Sequence, residues 1–120
     1  MLNKVNLLEK FGLIDKYECP KIVGELNGQY VKLSKLQGEF AWHKHDSEDE
    51  LFLVVKGRLR MKLRSGDIIL NEGEFFIVPC GVEHDPVAEP ECLVLLFEPK
   101  STLNTGDAQS EKTVNDLDWI

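Results

Sequence analysis

Between residues 20 and 98 the apolar positions come in short runs. Several runs are rich in Val, Leu, Ile and Phe. The runs predicted as strands are residues 21–25, 29–36, 39–45, 50–56, 58–63, 67–71, 74–78, 84–88 and 92–98. Turn signals separate them: Asn27-Gly28, Gln37-Gly38, Lys56-Gly57, Ser65-Gly66-Asp67, Glu72-Gly73 and Pro79-Cys80-Gly81. Many short strands at even spacing predict an all-β sandwich or barrel. Before them, Val5, Leu8 and Phe11 are spaced by three. With Asn3 as N-cap and Gly12 as stop, they predict one short helix.

The run from Arg58 to Arg64 alternates strictly, with Arg58, Arg60, Lys62 and Arg64 on one face and Leu59, Met61 and Leu63 on the other. This is the pattern of a half-buried strand whose charged outer face also discourages edge pairing. From Pro99 onward the chain is polar and poor in core residues, which predicts an irregular tail over the surface. Trp119 and Ile120 would pin its end to the domain or to a partner subunit. The expected organisation is a lead-in over residues 1–19, a barrel over 20–98 and a tail over 99–120.

Composition narrows the partners. A length of 120 residues argues for one domain. The net charge of −7 argues against nucleic acid or an anionic membrane as partner. No apolar run is long enough for a transmembrane helix. Asn6, Glu9 and Lys10 interrupt the apolar N-terminus and no small-residue cleavage site follows, so a cytoplasmic protein is expected rather than a secreted one. Cys19, Cys80 and Cys92 form no C-x-x-C pair and are expected as reduced thiols.

The chain holds three histidines. His43 and His45 are two apart in a predicted strand and so share a face. If residues 46–49 form a hairpin loop, Glu50 returns to the same region of sheet. The turn at 79–83 could bring His84 beside them. Three imidazoles and a carboxylate are a good ligand set for a divalent transition metal. Asp46, Glu48 and Asp49 are rival carboxylates, but they lie in the polar loop, where solvation suits them better.

These residues carry a family resemblance. Gly38, four residues, His43-Lys44-His45, four residues, Glu50, six residues and Gly57 resemble the first cupin motif. Gly73, five residues, Pro79-Cys80-Gly81, two residues and His84 resemble the second. Ala88 stands where the second motif often has Asn. Four residues rather than five separate Gly38 from His43. Neither departure touches a ligand position. The resemblance implies an antiparallel jelly-roll β-barrel with a metal inside one mouth, held by His43, His45, Glu50 and His84. Among stand-alone cupins it is similar to those labelled phosphomannose-isomerase-like. Cupins commonly pair, so a homodimer is implied as well.

Four ligands would leave two open positions on an octahedral ion such as Mn, Fe, Co or Ni, and none on tetrahedral Zn. Mn, Fe or Ni is favoured, with Zn as the alternative. Period-two phasing from the ligands turns Ala41, Phe52 and Val54 inward as pocket wall and turns Phe40, Trp42 and Lys44 outward. No general base stands out. Tyr30 and Glu98 are candidates near the mouth, although core packing suits Tyr30 and a solvated strand end suits Glu98. The expected function is a small metalloenzyme acting on a compact, oxygen-rich substrate, of isomerase, dioxygenase or lyase type. The alternative is a module that binds or senses a metal or small ligand without turnover.

Overall fold

A computed structural model describes residues 2–108 and 110–120. Helix α1 spans Leu7–Phe11. Six strands follow: β1 (Lys21–Leu26), β2 (Gln29–Glu39), β3 (Glu50–Leu63), β4 (Ile68–Leu70), β5 (Phe75–Val78) and β6 (His84–Pro99). Their sheet runs β1-β2-β6-β3-β4, with β5 also paired to β3, and every pairing between these strands is antiparallel. The expected antiparallel jelly-roll barrel with a short N-terminal helix is the observed fold.

The helix differs from its expected phase. Asn6, not Asn3, is the N-cap; its side chain accepts from the Glu9 amide at 3.0 Å. Phe11 and Ile14 are buried and Leu7 packs against them, whereas Val5 and Leu8 are exposed. This apolar stripe covers the outer face of the sheet, against Val23, Leu33, Leu93 and Leu95. Phe52, Val54, Leu59, Met61, Val94 and Leu96 fill the barrel interior. Thus β6 is apolar on both faces, Cys92, Val94 and Leu96 on one and Leu93 and Leu95 on the other, because it separates two cores.

Two pairs of predicted strands are single long strands. Residues 50–56 and 58–63 join in β3, and residues 84–88 and 92–98 join in β6. Gly57 is a bend within β3, not the end of a hairpin. Its φ is +94°, and the register with β6 shifts on both sides of it, between Val54 and Lys56 and between Gly57 and Leu59. The bend lets the two ends of β3 take different partners. Glu50–Leu53 pair with β5, and Leu59–Met61 pair with β4. Flat, the 14 residues of β3 would stretch more than about 40 Å. His84 lies opposite Leu63, at the far end of β3 from Glu50, yet its Nε2 is 3.4 Å from Glu50 Oε1. The sheet is therefore curled closed, and the 79–83 turn after β5 delivers His84 to Glu50.

The predicted strand over residues 39–45 is not observed. After Glu39 leaves β2, the β contact of this segment among the described residues is an isolated bridge from His43 to His84. The tail contains no helix or named strand among its described residues. Its end adds to the edge of β1: the Ile22 amide donates to Asp118, and the Ile120 amide donates to Ile22. Ile120 packs into the outer core, while Trp119 stays half exposed with its ring edge-on to Tyr30. Cys19, Cys80 and Cys92 are all free. No helix among the described residues is long and apolar enough to cross a membrane.

Candidate metal centre

His43, His45, Glu50 and His84 converge from three parts of the chain. One ligand atom from each lies within 4.8 Å of the others, and all four residues are buried. Glu50 opens β3 and His84 opens β6. His43 and His45 sit on the irregular segment between β2 and β3, fixed by backbone bonds. The amides of His43 and His84 donate to each other's carbonyls, at 3.0 and 2.9 Å, and the Gly81 amide donates to His45 O at 2.7 Å.

The ring orientations follow from hydrogen bonding. His43 Nδ1 is 2.8 Å from Ala41 O, and His84 Nδ1 is 2.9 Å from Val82 O. A carbonyl only accepts, so each Nδ1 carries the hydrogen and each Nε2 presents a lone pair inward. Such second contacts orient metal-binding imidazoles. His84 Nε2 is fully buried and has no hydrogen-bond partner. It faces Glu50 Oε1, also an acceptor, at 3.4 Å. His45 Nε2 approaches the same oxygen at 3.1 Å. Two acceptors held face to face in a dry interior repel unless a proton or a metal cation lies between them, and the full set of three imidazoles and one carboxylate fits a divalent metal.

Burial and the neighbouring His84 depress the pKa of His43 to about 4. Burial alone would raise that of Glu50, but the neighbouring Glu98 carboxyl, His45 and His84 together hold it well below the usual range. Near neutral pH the centre thus presents a neutral His43 and an ionised Glu50, the protonation states that metal binding requires. In the metal-free protein, the ring protons of His43 should titrate near pH 4 by NMR. A midpoint near the ordinary 6.5 would show that the imidazole is solvated. The sign for stability follows. The unfolded chain takes up the proton first, so the contribution of His43 is present above about pH 6.5. That contribution, at most about 3 kcal/mol, is lost as pH falls toward 4.

Beside the donors lies a cavity of about 30 Å³, lined by Ser34, Leu36, Phe40, Phe52, Pro86, Val94, Leu96 and Asn104, among others. Of the expected wall residues, Phe52 lines it. Val54 is fully buried beyond the lining, and Ala41 is not in the lining but supplies the carbonyl that orients His43. Phe40, expected outward, lines the cavity with its ring edge-on to His43 at 5.5 Å. Period-two phasing fails here because residues 40–48 are not a strand. Trp42 does stack outside, beneath the Arg64 guanidinium at 3.8 Å.

A further buried contact between ionisable groups was hidden in the sequence. Lys32 and Glu98 are each about 1% exposed, and Lys32 Nζ donates to Glu98 Oε1 at 2.8 Å. Glu98 is therefore buried rather than solvated. Burial, reinforced by the charge of Glu50, raises its pKa well above the carboxylate range, against the pull of Lys32. Nothing in the sequence marks Lys32 out within the predicted strand 29–36. Only the pairing of β2 with β6 shows that it meets Glu98 inside the barrel.

Comparison with known proteins places this architecture. The model of the cupin domain matches residues 30–97, which hold all four donors. The chain belongs to the cupin family. A cupin-2 domain protein from Shewanella frigidimarina NCIMB 400 is 40% identical, covering 80% of this chain and 94% of that one, with a TM-score of 0.79. Protein YdbB of Bacillus subtilis (strain 168) is 32% identical over 63 residues, 52% of this cupin. That match spans only 56% of YdbB. Hydroquinone 1,2-dioxygenase PnpCD, solved with Cd2+ and 4-hydroxybenzonitrile, is 21% identical over 80% of this chain and 72% of that one. Its TM-score of 0.67 is a likeness of fold.

Proposed function

We propose that this cupin is a small metalloenzyme that holds one divalent transition metal, Mn, Fe, Ni or Zn, through His43, His45, Glu50 and His84. Its substrate would be a compact, oxygen-rich molecule that binds the metal inside the barrel. The opposed, buried lone pairs of His84 Nε2 and Glu50 Oε1 carry this reading. The bound metal would polarise a substrate oxygen as a Lewis acid. The chain's own contributions are nearer to hand. Phe40, Phe52, Leu36 and Leu96 keep water from the reacting group. Ser34 Oγ lines the same cavity and is buried without a partner, so it is available to orient a substrate oxygen.

The Arg58/Arg60/Lys62/Arg64 stripe is a poor candidate for a phosphate clamp, which a sugar-phosphate isomerase would need. Arg60 pairs with Asp67 and Glu89, Lys62 with Glu39, and Arg64 with Glu83, all at the surface. A non-catalytic role draws on the cavity's size, which accommodates only a few waters.

The test is metal analysis of protein purified without a metal-affinity tag, followed by oxygen uptake with a catechol or a thiol. About one equivalent of metal per chain is expected. Iron with oxygen uptake would favour a dioxygenase, whereas a redox-inert ion without uptake would favour isomerase or lyase chemistry. Stoichiometric ligand binding without turnover would favour the binding module. A wild-type protein that takes up none of these ions would overturn the metal reading.

A further inference from the structure

We propose that residues 101–107 form a strap that positions the metal-ligand segment, with Asp107 and Gly106 as positioning residues. The proposal rests on the metal reading above. The segment carrying His43 and His45 has left the sheet, so no continuous ladder holds it. One side of its backbone is bound by the bridge to His84 and the Gly81 amide. Lys44, between the two histidines, has its backbone groups bound on the other side. Its amide donates to Asp107 Oδ1 at 2.9 Å, and its carbonyl accepts from the Asp107 amide at 3.0 Å. Asp107 thus takes the place of a residue on a neighbouring strand, satisfying both groups of Lys44.

The approach is close. Gly106 has φ +54°, and a Cβ there would lie 2.2 Å from Lys44 O and 3.0 Å from His43 Cδ2. A glycine is the residue that lets the strap seat against a ligand histidine. The strap is braced from within. Thr105 is fully buried with its hydroxyl 2.7 Å from that of Thr113. The Asn104 side chain bonds Lys112 O at 2.8 Å and the Val114 amide at 2.9 Å. Ser101 adds a hydrogen bond to Glu48 at 2.8 Å. Asn104 also borders the metal cavity, so the strap is part of its wall. The match to the cupin domain ends at residue 97, before all of these residues.

The probe is cobalt(II), titrated into the metal-free full chain and followed by its visible absorption. Asp107→Ala and Gly106→Ala should each weaken binding roughly tenfold or more, the scale of lost support behind a metal ligand, and alter the absorption band. Asp107→Asn keeps an oxygen acceptor for the Lys44 amide and should restore both affinity and spectrum. In parallel, hydrogen exchange at the Lys44 amide should accelerate in Asp107→Ala and not in Asp107→Asn. Unchanged cobalt affinity, spectrum and exchange in both alanine variants would overturn the strap. If the wild type takes up no cobalt, the metal reading fails and Lys44 exchange alone decides whether the strap holds the segment.

Discussion

His84→Ala should cut metal affinity by more than about 100-fold, beyond the loss seen when a ligand's supporting contact is removed. The barrel should still fold. His84 is the donor whose Nε2 is wholly buried and unpartnered, so removing it deletes one ligand and relieves its opposition to Glu50. The variant loses the Nδ1 hydrogen bond to Val82 and leaves a small cavity, at a cost of about 1–3 kcal/mol. Titration calorimetry of the metal-free protein would measure the affinity, and circular dichroism the fold. Full metal occupancy in this variant would remove His84 from the ligand set.

Gly57→Ala should destabilise the barrel by about 2–4 kcal/mol, a large effect for one methyl group. The backbone there is left-handed, and an added Cβ would sit 2.5 Å from Glu91 O and 3.1 Å from Cys92 Cα. Those neighbours are backbone atoms of β6 and cannot move aside like a side chain. The same bend divides β3 between its two short partners, so the variant should bind metal more weakly as well. Urea unfolding of the metal-free protein would measure the first effect. A change below about 0.5 kcal/mol would show that β3 can bend elsewhere.

The fold class was legible in the sequence because turn residues punctuate the β-rich runs. Their joining was not, since Gly57 has the same signature inside a bent strand as in a hairpin. The four donors could be found because two spaced motifs carry them. The surrounding wall was harder to read. Ala41 and Phe40 exchanged their expected places because a bridge and a tail, not a ladder, hold residues 40–48. Glu98 resembled a solvated strand end until the pairing of β2 with β6 set it diagonally across from Lys32 inside the barrel. Asp107 and Gly106 lie in a polar stretch with no periodicity, and nothing local marks them as partners of Lys44.

The curling of β3 and β6 also bears on how metal and stability are linked. In an unfolded chain His43, His45 and Glu50 lie close along the sequence, while His84 is remote and joins them only when the sheet has closed. A metal held by all four would therefore act as a clasp across the seam of the barrel and would have little hold on the open chain. Its concentration in the surroundings would set how tightly the barrel stays shut, adding about 2.7 kcal/mol at a hundredfold excess over the dissociation constant.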